Sequence, residues 1–137
     1  MNISSRCEYG CRAVLELALH GQADTPMPAS TIAEKRAIPE KYLVHILLQL
    51  KRAGIVRSVR GSQGGYMLGK PPEDITLCAI VEAIDGAILS PLPINDAAGA
   101  DLLPTWEGVA AEVRKVLEGI SVRDILDQSA DTNMYYI

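Results

Sequence analysis

Between Pro28 and Leu68 the chain fits two helices, a tight turn and a glycine-rich hairpin with almost no slack, and that stretch constrains the fold most. Thr31 and Glu34 stand at capping-box spacing, so a short helix over Thr31–Ala37, capped by Ser30 or Thr31, shows Ile32 and Ala33 as a small apolar face. Ile38-Pro39 ends it, because the residue before a proline is pushed out of helical geometry. From Glu40 the pattern restarts. Tyr42, Leu43, Ile46, Leu47 and Leu50 fall on one helical stripe, leaving Lys41, Val44, His45, Leu48, Gln49, Lys51 and Arg52 off it. Gly54 stops this second helix. Ile55–Val59 and Tyr66–Leu68 then read as short strands around Arg60-Gly61-Ser62-Gln63-Gly64-Gly65, whose three glycines supply positive φ and let the backbone approach a partner. Arg57, Arg60 and Lys70 border that tip, and positive charge beside bare peptide N–H groups suits phosphate. This order is that of a winged helix-turn-helix: a mainly α fold with a small β-hairpin wing.

Outside this stretch the pattern is helical. Cys7–His20 is amphipathic through Tyr9, Ala13, Leu15, Leu17 and Ala18, ends at Gly21 and is suited to pack behind the helix-turn-helix. Pro71-Pro72 marks the exit from the wing. Thr76 can cap a helix with Leu77, Ile80, Val81 and Ile84 on one stripe, closed by Gly86. Ser90–Pro104 is the most loop-like stretch, with three prolines, Asn95, Asp96 and Gly99. Trp106, Val109, Val113, Val116, Leu117 and Ile120 then repeat at three- and four-residue spacing, a one-sided apolar stripe. So small a winged helix has little surface to cover it, and a partner helix in a homodimer is the better reading, with Trp106, Val109, Val113, Val116 and Leu117 as its interface. Ser121 and Asp124 recap a short helix through Asp127. The division is residues 1–72 as the winged helix-turn-helix and 73–137 as effector loop, dimerisation helix and C-terminal tail, one compact domain overall.

Charge separates the two parts. Residues 1–70 hold ten Lys and Arg against five Asp and Glu, and residues 71–137 hold three against twelve, so a net charge of −4 conceals a basic front half. Such asymmetry suits one face offered to a polyanion. No stretch approaches the ~20 apolar residues of a membrane span and the start lacks an apolar signal segment, so the expected location is the cytoplasm. Three cysteines, Cys7, Cys11 and Cys78, are too few for a disulfide scaffold. No enzyme pattern emerges: Ser62-Gln63-Gly64-Gly65 lacks the Lys-Ser/Thr of a P-loop and joins strand to strand.

In a helix-turn-helix the second helix enters the major groove with its N-terminal residues against base edges, while the wing reaches backbone or minor groove. Glu40, Lys41, Tyr42 and His45 are therefore expected at the bases, with Gln49 further along. Arg57, Ser58, Arg60, Gly61 and Ser62 belong to the wing contact, and Thr31 joins the DNA-binding set. Val44 and Leu48 either touch DNA, Val44 a thymine methyl, or only pack. Ser4, Ser5 and Arg6 open the first helix with hydroxyls and a cation, which suits a phosphate or merely caps the helix. A homodimer predicts a pseudo-palindromic site in double-stranded DNA with half-site centres roughly 34–36 Å apart.

Tyr42-Leu43, then Leu50-Lys51-Arg52-Ala53-Gly54-Ile55-Val56, then Arg60-Gly61-Ser62-Gln63-Gly64-Gly65-Tyr66-Met67-Leu68 resemble the signature of the Rrf-two family of winged-helix transcriptional regulators. Ser4-Ser5-Arg6 with Tyr9 and Ala13, and the segment from Ile75-Thr76 to Gly86, extend the resemblance over essentially the whole chain. It implies a DNA-binding homodimer and favours phosphate contact by Ser4, Ser5 and Arg6. Val44-His45 stand where family members often carry Glu-Gln, so no operator sequence carries over. Many members hold an iron–sulfur cluster through three cysteines in the loop after the position of Gly86; here no cysteine follows Cys78, and no cofactor is expected. The chain looks most like the CymR branch, which represses cysteine and sulfur metabolism genes in complex with cysteine synthase. Tyr135, Tyr136 and Ile137 resemble the tails that enter that enzyme's active site, with Ile137 as the anchor; packing on the dimer interface is the alternative use of this tail. Two other readings stand beside this one. In the first, a regulator of the same type senses redox state, a metal or a small molecule through Cys7 and Cys11 or through the 90–104 loop. In the second, the winged helix serves only protein contacts, without the steep salt dependence of duplex binding.

Overall fold

The computed structural model describes residues 2–21, 24–89 and 97–135. Among these residues six α-helices and one hairpin follow in the order α1 (Ser5–His20), α2 (Ala29–Arg36), α3 (Glu40–Arg52), β1 (Val56–Val59), β2 (Gly65–Leu68), α4 (Leu77–Asp85), α5 (Leu103–Glu118) and α6 (Val122–Tyr135). Single 3-10 turns lie at Pro72–Asp74 and Ala97–Gly99. Helix α1 is the axis of the packing and touches α2, α3, α4, β2 and α6. Its buried side is Cys7, Gly10, Ala13, Val14 and Leu17, while Tyr9, Leu15 and Ala18 lie at the margin of the core. Ile32, Leu43, Ile46, Leu47, Leu50, Ile55, Ile80 and Val122 complete a single apolar core, with no buried polar or charged residue among the described residues.

Helix α2 starts earlier than the capping-box spacing predicts. Pro28 occupies the N-cap with extended backbone, and its carbonyl accepts from the N–H groups of Thr31 and Ile32, so neither Ser30 nor Thr31 caps with its side chain. The helix ends at Ala37, which adopts the left-handed conformation (φ 53°), and Arg12 Nη1 donates to the Arg36 carbonyl at 3.2 Å. Pro39 then caps α3. At the other elements the capping expectations hold. The Thr76 hydroxyl accepts from Ala79 N at 3.0 Å, and Ser121 and Asp124 exchange bonds at 2.9 and 3.0 Å.

The hairpin is antiparallel, pairing Val56 with Leu68 and Val59 with Gly65. A third segment joins it: Met27 and Tyr66 exchange both backbone hydrogen bonds at 2.9 Å. Glycine is required at the wing for two different reasons. Gly61 and Gly65 take positive φ (117° and 156°), whereas Gly64 does not, and a side chain there would stand 2.2 Å from the Val59 carbonyl oxygen.

Beyond the wing, Leu77 N donates to Ile120 O and Val122 N to Ile75 O, both at 2.8 Å, tying the start of α4 to the α5–α6 junction. Two expectations need correction. The loop predicted to reach Pro104 contains the turn at Ala97–Gly99, and α5 already begins at Leu103, with Pro104 in the first turn where its missing N–H costs nothing. Helix α6 does not stop at Asp127 but runs to Tyr135, since no glycine or proline follows to end it. Tyr135 closes this helix, while Tyr136 and Ile137 lie outside the described residues.

Candidate nucleic-acid interface

Helix α3 buries Leu43, Ile46, Leu47 and Leu50 completely and turns every other side chain outward except Gln49. Glu40, Lys41, Tyr42 and His45 are exposed together on its first turns. Tyr42, placed by periodicity on the packed stripe, is in fact 46% exposed, with the Lys41 ammonium 5.0 Å from its ring centre. The stripe is full without it, because four aliphatic side chains span the contact with α1, α2 and α4. Val44 and Leu48 also face outward rather than packing.

Arg57, Ser58, Arg60, Gly61 and Ser62 are exposed on the wing, with Arg57 Nη2 3.3 Å from Met67 Sδ. Thr31 is half-buried on α2. At the start of α1 the structure departs from the simplest phosphate-contact reading. The Ser4 hydroxyl accepts from Cys7 N at 3.0 Å as the N-cap and donates to the Asp85 carboxylate at 2.8–2.9 Å. Arg6 Nη2 donates to Gln49 Oε1 at 2.6 Å, and Gln49 Nε2 reaches the Ile84 carbonyl at 3.3 Å. Gln49, expected further along the groove, thus links α1, α3 and α4. Ser5 stays exposed. No periodicity marks these contacts, nor Met27 as the third segment of the wing, because each depends on which helices meet in space.

The five residues read as a dimer interface lie on α5, which buries none of its residues. Trp106 (54%), Val109 (37%) and Val116 (63%) are exposed, and Val113 and Leu117 are half-buried. Helix α5 contacts α4, where Arg114 pairs with Glu82 at 2.9 Å and also with Glu118.

An exposed face on an otherwise buried helix, beside a basic glycine-rich wing, is the geometry of a DNA reader. A family described as Rrf2, iron-dependent transcriptional regulator, matches residues 3–128. The chain belongs to the Rrf2 (Rrf-two) family. Its relatives are DNA-binding transcriptional regulators and not enzymes. CymR of Bacillus subtilis is 32% identical, with all of both chains covered. IscR of Aliivibrio salmonicida is 31% identical over 92% of this chain and 77% of its own. Among solved structures, T. potens IscR superposes with a TM-score of 0.77 at 31% identity, covering 99% of this chain and 97% of that one. The structure described as CymR (YrzC), the global cysteine regulator of B. subtilis, also gives 0.77 at 30% identity, covering 93% and 98%.

The Rrf2 description carries iron, and the donors of this chain do not fit a cluster held by loop thiolates, since no cysteine follows Cys78. Cys7 and Cys11 are hydrogen-bonded to one another on α1, which lowers the Cys7 thiol and, with burial, raises that of Cys11. Burial, aided by its hydrogen bond to Glu82, pushes the Cys78 thiol up to about 11. Among the described residues no group of three or more His, Cys, Asp and Glu side chains could hold a metal ion. No helix among them is long and apolar enough to cross a membrane.

Proposed function

We propose that this regulator is a homodimeric repressor that sets α3 of each protomer into successive major grooves and lays the wing on the adjoining backbone. The observation that carries this reading is the exposed first half of α3, held by four completely buried aliphatic residues. Lys41 donates to a guanine edge, Tyr42 and His45 contact neighbouring bases, and Arg57, Ser58, Arg60, Gly61 and Ser62 meet phosphates or the minor groove. Ser5 and Arg6 add a backbone contact. Ser4 and Thr31 support it from the helix starts, and Gln49 positions Arg6. The apolar face of α5 is the dimer surface. Fluorescence anisotropy on a duplex carrying a selected pseudo-palindromic site tests this: log affinity falls linearly with log salt. A flat salt response would instead mark a module for protein contacts.

The genes under control are those of cysteine and sulfur metabolism, and cysteine synthase is the partner. Full-length similarity to CymR, whose structure is described as that of a global cysteine regulator, supports this assignment. The experiment is a titration of cysteine synthase, followed by its pyridoxal phosphate fluorescence, with the intact chain and with one lacking Tyr135, Tyr136 and Ile137. Saturable binding lost on shortening is the expected result; no binding by the intact chain would refute the partnership.

A further inference from the structure

Between the C-terminal end of α1, strand β2 and α6 lies a half-open cleft of about 470 Å³, within the range of small-molecule sites. Its apolar side is formed by Leu17, which is buried, and by Leu68 and Leu126, which are half-buried. Lys70 and Arg123 stand at the same cleft from opposite elements, one just after β2 and one in the first turn of α6. Neither makes an ion pair or a side-chain hydrogen bond among the described residues, although Asp127 follows Arg123 by one helical turn. His20, at the edge, is held by Thr25 at 3.1 Å.

We propose that this cleft binds a small organic monocarboxylate with an apolar body. Two cations that line the cleft from separate elements, neither paired among the described residues, beside an aliphatic wall match a ligand with one anionic end and one apolar end. The guanidinium of Arg123 offers a fork for the carboxylate and Lys70 a second charge, while the body lies on Leu17, Leu68 and Leu126. Asp127 at the same cleft disfavours a second carboxylate on the ligand. The place of the cleft gives binding a consequence. Strand β2 leads directly from the wing tip, and α6 belongs to the other half of the chain, so a bridging ligand favours one placement of the wing relative to α6. This consequence for DNA rests on the regulator reading above; the binding site itself does not.

Hexanoate is the probe, titrated into the isotope-labelled full chain and followed by backbone amide shifts, with hexan-1-ol as its uncharged counterpart. Saturable shifts confined to Leu17–His20, Tyr66–Lys70 and Arg123–Ala130 are expected, with hexan-1-ol binding at least tenfold more weakly. The double variant Lys70→Gln, Arg123→Gln should raise the hexanoate Kd at least tenfold while its remaining amide spectrum stays that of the folded chain. Scattered unsaturable shifts, equal binding of hexan-1-ol, or an unchanged Kd in the double variant would each overturn the site. Amides of Arg60–Gly65 should move with the same Kd; a saturated cleft with a silent wing tip would overturn the coupling. Duplex affinity is measured separately, so failure to bind DNA would count against the regulator reading and leave the hexanoate result standing.

Discussion

Helices α3 and α5 are both amphipathic, and they end differently. In α3 the four aliphatic residues Leu43, Ile46, Leu47 and Leu50 have no exposure at all, whereas α5, three residues longer, buries nothing. The apolar stripe of α3 is satisfied by its own chain, which frees the opposite face for a ligand. That of α5 is left partly uncovered by the described residues, with Trp106, Val109 and Val116 exposed, an apolar row of the kind that suits a protein surface. One helix is a finished part of a domain, and the other is the one proposed above as half of a dimer interface. Periodicity alone cannot separate them, because both write the same pattern.

The largest effect that would test this contrast is on α3. Leu47→Ala removes buried methyl groups from the centre of the core and should cost about 2–5 kcal/mol, read from the denaturant midpoint. Trp106→Ala on α5 should leave the fold of the protomer nearly unchanged and instead weaken self-association by ~30-fold, the order of a loss of ~2 kcal/mol at an interface anchor. Sedimentation equilibrium measures it. An unfolded Trp106→Ala chain would show that α5 supports its own core after all, and an undisturbed dimer would place the interface elsewhere.

Smaller effects distinguish the exposed face of α3 from the wing. Lys41→Ala should relax preference at one base pair by about 1–3 kcal/mol, while Arg60→Ala should weaken all duplexes alike and flatten the salt slope by about one. Competition between matched and mutated duplexes at several salt concentrations separates the two. Identical behaviour would mean that base reading and backbone contact are not divided between helix and wing.

How much of this was legible in the sequence depended on whether a residue's role is local. Thr76, Gly54 and the Ser121–Asp124 pair act through neighbours in the chain, and each was readable. Tyr42 was not: helical spacing assigns it to the stripe, but the number of aliphatic residues that the core can accept is set by α1, α2 and α4. Gln49 illustrates the same limit at the site. Its position on α3 points along the groove, and only the meeting of α1 with α4 beside it shows that Arg6 and the Ile84 carbonyl hold it. Pro28 and Ala37 shift α2 by one or two residues because backbone caps leave no side-chain signature.

The smallest effect concerns how α5 is joined to the finished part of the molecule. The N–H of Ser121 donates to Asp124 Oδ2 at 2.9 Å, and Asp124 N donates to the Ser121 hydroxyl at 3.0 Å. The bond from the Ser121 N–H to the carboxylate, aided by the Ser121 hydroxyl, favours the ionised form and holds Asp124 below its ordinary value of 3.8. A carboxylate lowered in the folded state contributes stability that is present above the unfolded value and is lost as pH falls through the folded one. The contribution should therefore be intact at pH 5 and fade below about pH 3.8. Asp124→Asn should narrow the difference between urea midpoints at pH 5 and pH 3. Because Val122 beside this pair is completely buried, a drop much larger than that of a surface cap would mean that the junction anchors α5 to the core. An equal pH response in the variant would show that the pair only sets the helix start.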